Sequence, residues 1–217
     1  MVRSGQTETA PEPSEAFNQQ CVEAVRRWEA GGLPFDDALA CLDDLGQQAR
    51  REQHMANQAR AEHALGYIQH YRGNLNTSIR HYERARSLYL RVGNRNYAAT
   101  VDLNLGENYR FKGDFQRART LYHAAYETAR ELGSLRVQTI AAVNEGLVLM
   151  TIGEHEAASD ALMQGLALTT RWEEHLESLP GILCEIHHGM SIIHLNAEDY
   201  EAAWGDALKA LEAAQQS

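Results

Sequence analysis

The chain has 217 residues, 44% hydrophobic and 23% charged, with a net charge of −10 at neutral pH. Its 4 prolines, 3 cysteines and lack of any long apolar run disfavour a disordered chain, a disulfide framework, a membrane span and a secretory leader, so the expected address is the cytoplasm. Bases outnumber acids 11 to 6 over residues 80–136 but fall to 2 against 13 over 137–217, an acidic remainder that repels phosphate and argues against nucleic acid as a partner.

Residues 1–14 are polar and read as a disordered lead-in, and residues 15–217 as a single domain. A first helix is predicted over 14–29, capped by Ser14, with Phe17, Cys21, Val22, Val25 and Trp28 as its apolar stripe. Gly31 and Gly32 end it. Leu33 and Pro34 lead into a second helix whose Phe35, Ala38, Leu39, Leu42 and Leu45 face inward, and the good helix formers of GQQARREQ prolong it. The next helices are expected over 55–71, 75–92, 96–112 and 115–132. Between the last two, Gly113 tolerates the positive φ of a helix C-terminus and Asp114 caps the helix that follows.

The seventh helix, over 135–151, is the most apolar. Val137, Ile140, Ala141, Val143, Leu147, Val148 and Met150 cover more than one face, as expected for a helix with neighbours on both sides. The eighth ends near Trp172. The segment EEHLESLPG after it is either a longer loop or the first turn of the ninth helix. The tenth carries Tyr200, Ala203, Trp204, Ala207, Leu208 and Leu211.

These helices repeat. The residue after the turn recurs as Phe35, Leu75, Phe115, His155 and Tyr200, in steps of 40, 40, 40 and 45 residues. Ala38, Ser78, Ala118, Ala158 and Ala203 follow the same beat, as do Leu42, Tyr82, Tyr122, Leu162 and Ala207. Gly66, Gly106 and Gly146 recur in the first helix of the hairpin, and Gly73, Gly113 and Gly153 in its turn.

Leu105-Gly106, Tyr109, Gly113-Asp114-Phe115, Ala118, Tyr122 and Ala125 resemble the tetratricopeptide repeat consensus in order and spacing, and Leu65-Gly66, Gly73, Tyr82 and Ala85 do so nearly as well. The resemblance covers residues 15 to 215, although the first copy lacks the paired glycines and the last has a five-residue insertion. Its 40-residue period is similar to the variant of kinesin light chains, Pins-type adaptors and MalT-like bacterial regulators. The resemblance implies an all-α fold, a right-handed α-solenoid superhelix of about five hairpins and ten helices. It also implies a non-catalytic module that binds a peptide or a partner's helix in a concave groove. The MalT-like likeness implies an alternative, a regulatory sensor arm that binds a small molecule or signalling peptide.

In the family the first helix of each hairpin lines the groove. Carried over by position, this selects Arg60, His63, Tyr67, His70 and Tyr71, then Leu103, Asn104, Glu107, Arg110 and Phe111, then Val143, Asn144 and Leu147, and finally His188 and Ile192. Asn104 and Asn144 occupy equivalent positions where related proteins hold a peptide backbone, which suits an amide carrying both donors and an acceptor. Contact between neighbouring first helices is the other reading of these asparagines. Packing is the other reading of Tyr67, Tyr71 and Phe111, and a surface pair with Glu107 that of Arg110. The fuller Lys/Asn set of the family's carboxylate-clamp subclass is absent.

No phosphate loop, nucleophile elbow or zinc motif occurs, and no catalytic residue, cofactor or metal is expected. His187, His188 and His194 with Glu185 come nearest to a ligand set, and His63 and His70 share the seven-residue spacing, but two ligands on one helix face fall short of a site. Cys21, Cys41 and Cys184 read as packing residues. The apolar residues of the last helix, Trp204 and Leu208 among them, exceed what a free surface carries and are expected to meet further sequence or a second copy as a homodimer; packing of all of them on the ninth helix is the other reading.

Overall fold

The computed structural model describes residues 11–171 and 179–216. Most of the expected lead-in, Trp172 and residues 173–178 of the proline-bearing segment therefore lie outside the described residues. Among the described residues there are ten helices: α1 (Glu15–Glu29), α2 (Phe35–Arg51), α3 (Met55–Tyr71), α4 (Leu75–Arg91), α5 (Arg95–Phe111), α6 (Phe115–Leu132), α7 (Leu135–Thr151), α8 (His155–Thr169), α9 (Leu179–Asn196) and α10 (Tyr200–Ala214). α8 stops at Thr169, short of Trp172, and Leu179, Pro180 and Gly181 form the opening turn of α9. No described helix is long and apolar enough to cross a membrane.

The chain divides into two compact units, the first ending at Val101 and the second beginning at Asp102. Within the first unit α1 packs on α2 and α3, α2 on α3, and α3 on α4; within the second each helix from α6 to α10 packs on the next, and α7 also meets α9. Three of the hairpins are closed by a large side chain of the second helix lying against a bare position of the first. The ring of Tyr82 covers Gly66, that of Tyr122 covers Gly106, and Leu162 covers Gly146. Tyr82, Tyr122 and Leu162 are fully buried. Burying such a side chain contributes about 1.5–3 kcal/mol, so the repeat glycines are the sites where stacking is won. Ser78 adds a buried hydrogen bond, its hydroxyl donating to the Gly66 carbonyl at 2.7 Å.

The turns behave as the spacing predicts. Gly113 has φ 75° and Asp114 caps α6, its side chain accepting from the Arg117 N–H at 3.2 Å.

Three expectations need correction. Ser14 sits at the cap of α1 without a side-chain capping bond; its backbone N–H instead donates to Asn57 Oδ1 at 2.8 Å. Val22 is exposed because the buried line of α1 runs through Phe17, Cys21 and Ala24, and a residue following Cys21 is turned about 100° away. Cys41 is exposed too, so only Cys21 is a core thiol, and burial pushes it up to about 11.

Candidate functional site

In the first unit α1, α3 and the start of α5 enclose a pocket of about 450 Å³. α3 contributes Arg60, His63, Ala64 and Tyr67, three- and four-residue steps that share one helix face. α1 contributes Asn18, Val22, Val25, Arg26 and Glu29, and α5 contributes Tyr97 and Thr100. Three of the residues selected from sequence therefore meet here. Their α1 counterparts were not selected, because the first hairpin lacks the glycines that set the register; the spacing of Asn18, Val22, Val25 and Glu29 along one face was the available signal.

The pocket is polar at its two ends and apolar between. At one end the Arg60 Nε donates to Asn18 Oδ1 at 2.7 Å. At the other the Tyr67 hydroxyl donates to Glu29 Oε1 at 2.6 Å. Burial, reinforced by that carboxylate, raises Tyr67 well above the usual phenol range, so it stays a proton donor. Burial first, and Arg60 second, lower His63 to about 3, which leaves its imidazole uncharged at neutral pH. Tyr97 is a fixed wall: its ring stacks on buried Tyr89 with centroids 5.1 Å apart. His70 and Tyr71 stand outside the lining; Tyr71 is exposed and touches Tyr67 and His70 through its ring.

A second cavity, of about 570 Å³, lies among α2, α3 and α4. Its buried carboxylate, Glu62, is already engaged by His81 at 2.8 Å and Arg84 at 4.0 Å.

In the second unit, Glu107 accepts hydrogen bonds from both Arg110 and the Tyr122 hydroxyl, the latter at 2.9 Å. Arg110 thus takes the intramolecular partner foreseen as its alternative. Its guanidinium also lies over the exposed ring of Phe111, 4.9 Å from the centroid. Burial, and then the nearby Glu107 charge, raise Glu185 above the usual carboxylate value, with Arg110 opposing. Asn104 and Asn144 are both half-buried. The Asn104 carbonyl accepts from the side chain of fully buried Asn108 at 3.0 Å. Leu147 packs on the core formed by Val143, Leu162 and Ile186.

His187 and His194 share a partner that sequence spacing did not reveal. Asp206 of α10 places one carboxylate oxygen 3.0 Å from His187 Nδ1 and the other 3.0 Å from His194 Nδ1. Among the described residues no group of three or more His, Cys, Asp or Glu side chains is arranged to hold a metal ion.

The sequence profile of the tetratricopeptide repeat matches residues 57–131 and again 97–171, the two matches 40 residues out of step. No curated protein is significantly similar to the chain. Solved structures share the fold at low identity. BtubC (BKLC) from P. vanneervenii is 17% identical with a TM-score of 0.75, over 93% of this chain and 92% of that one. The apo form of RapI is 12% identical with a TM-score of 0.76, over 93% and 71%. The Rap conjugation gene regulator of plasmid pLS20, solved with the Phr* peptide, is 16% identical with a TM-score of 0.71; the match spans 99% of this chain and 60% of the regulator.

Proposed function

The chain belongs to the tetratricopeptide repeat family, and from that premise we propose that it is a non-catalytic interaction module of the cytoplasm whose first helices hold a peptide or a partner's helix. The observation that carries this reading is the pocket along α1, α3 and α5, where Arg60, His63 and Tyr67 are gathered beside apolar Val22, Val25 and Tyr97. Its volume of about 450 Å³ lies within the range of about 300–1,000 Å³ common for ligand sites. In the second unit the same helix face offers Asn104, Glu107, Arg110, Phe111, Asn144 and Leu147. The two amides pair with peptide groups whatever the side chains between them.

Peptide-array binding by the full chain tests the reading. Capture that persists after Arg60→Ala plus Tyr67→Ala removes the pocket from the account, and capture that persists after Asn104→Ala plus Asn144→Ala removes the second unit's face.

A second reading, a regulatory arm that senses a signalling peptide, draws support from the Rap regulator, a protein of this fold solved with a peptide. An effector domain encoded beside this chain favours it, and the absence of any peptide-dependent change in the chain's hydrodynamic radius counts against it. For the tenth helix we propose contact with a second copy through Trp204 and Leu208, which are 68% and 43% exposed.

A further inference from the structure

The cavity among α2, α3 and α4 is walled by side chains that peptide binding along the first helices does not use. α4 supplies Arg80, Arg84 and Ser87, at steps of four and three residues and therefore on one helix face, and α2 supplies Arg50. Among the described residues none of these guanidiniums hydrogen-bonds a carboxylate. Arg80 donates to the neutral hydroxyl of Thr77 at 3.1 Å. Arg50 stands 3.8 Å from Asp43 and Arg84 4.0 Å from Glu62, both beyond hydrogen-bond length. The short contact of Glu62, at 2.8 Å, is with His81 Nδ1. Glu83, on the rim, is exposed and forms no ion pair among the described residues. Gln58 adds an amide to the wall, and Leu88 is its one apolar side chain among the described residues.

Three guanidiniums facing one cavity without a hydrogen-bonded anion form a receptor for an oxyanion. A phosphate monoester fits them better than a carboxylate does. Its terminal oxygens and larger charge pair with separate guanidinium forks, whereas a planar carboxylate is satisfied by one. Inorganic phosphate alone would bring its charge beside the Glu62 and Glu83 carboxylates with nothing to offer them. A body that carries hydroxyl or amino donors turns Glu83 and Gln58 into partners. An apolar body, or the side chains of a peptide, finds only Leu88 to cover. The volume of about 570 Å³ lies within the range of about 300–1,000 Å³ common for ligand sites. We infer that this cavity binds a small phosphate monoester on a hydroxyl-bearing body, a sugar phosphate or a nucleoside monophosphate. Arg50, Arg80 and Arg84 take the phosphate, and Gln58 and Glu83 take the hydroxyl or amino groups. The site is built chiefly on second helices and stands whether or not the first helices hold a peptide.

Isothermal titration calorimetry on the full chain tests the assignment. The probes are hexose monophosphates and nucleoside monophosphates, each beside its dephosphorylated parents, together with inorganic phosphate and a pool of phosphoserine hexapeptides. One class of ester should bind roughly tenfold or more tightly than its parents and than inorganic phosphate, and the tighter class identifies the body. Arg80→Gln plus Arg84→Gln, both at exposed positions, should remove the advantage over the parents without lowering the Tm of the ligand-free protein. Glu83→Gln should weaken the ester and leave inorganic phosphate no weaker. Parents that bind as tightly as their esters overturn the phosphate assignment. Inorganic phosphate that binds as tightly as either ester overturns the hydroxyl-bearing body. A phosphopeptide pool that binds more tightly than both ester classes overturns the small molecule in favour of a phosphoprotein. Binding of none of the probes, or an ester affinity untouched in the double arginine variant, overturns the site itself.

Discussion

The ring of Tyr82 occupies the space a side chain on Gly66 would need: a Cβ there would fall 2.6 Å from its Cδ1. The ring is fully buried and cannot retreat. Gly66→Ala should therefore destabilise by about 1–3 kcal/mol, the usual cost of overpacking. Gly205, inside α10, has no neighbour within 4 Å of that position, so Gly205→Ala should stabilise by about 0.5–1 kcal/mol through helix propensity alone. Chemical denaturation of the two variants should move the midpoint in opposite directions; equal shifts would mean that Tyr82 does not lock the hairpin.

Two turns carry the wrong residue for their backbone. Gln53 has φ 55° and Glu198 φ 59°, at the repeat positions where Gly93, Gly133 and Gly153 stand elsewhere. A side chain in this left-handed region costs about 1–2 kcal/mol, partly offset by the greater unfolded-state freedom of glycine. Gln53→Gly and Glu198→Gly should each raise the stability by up to about 1 kcal/mol, measured as a rise in Tm. A fall would show that these side chains make contacts that outweigh the strain.

Those turns also show what sequence could and could not give. Helix boundaries were legible to within a residue or two wherever glycine punctuates the chain, as at α3, α6 and α7, because glycine marks both the turn and the close approach of the second helix. Of the residues lining the α1/α3/α5 pocket, only those of α3 were selected from sequence. Asn18 and Glu29 complete its two ends from a first hairpin with no repeat glycine to fix the register. Asp206 was equally hidden: it joins His187 and His194 from another helix, and periodicity reports which residues share a face, not which faces meet. Val22 shows the same limit from the other side, an apolar residue at helical spacing that lines a pocket rather than a core.

Burial and the Arg60 charge depress His63 from 6.5 to about 3, and the sign of the consequence follows by linkage. Below pH 6.5 the unfolded chain takes up a proton on His63 that the native chain refuses, so stability falls as pH drops from about 6.5 towards 3, by up to about 1.4 kcal/mol per pH unit. His63→Gln should flatten that slope between pH 6 and 4 while leaving stability at pH 8 within about 1–2 kcal/mol. Urea titrations of both proteins across this range measure it; parallel slopes would mean that His63 does not carry the effect.

Trp204 stands one repeat beyond Ser159 and two beyond Arg119. Ser159 on α8 reaches Met190 of α9 at 3.9 Å, and Arg119 on α6 reaches Glu145 of α7 at 3.5 Å. This position of a second helix therefore faces the first helix of the following hairpin. On α10 it carries an indole that is 68% exposed, flanked by Tyr200, Leu208 and Leu211 at 65%, 43% and 56%. Covering one such side chain is worth about 1.5–3 kcal/mol, a gain that a second copy burying this stripe sets against the translational and rotational cost of association. Sedimentation velocity should show the chain shifting to a dimer as concentration rises. Trp204→Glu plus Leu208→Glu should weaken the dimer at least tenfold and leave Tm at low concentration unchanged, since neither residue is part of the α9–α10 core. A monomer at every concentration, with Trp204 fluorescence freely quenched by acrylamide, would leave the stripe without a second copy to cover it.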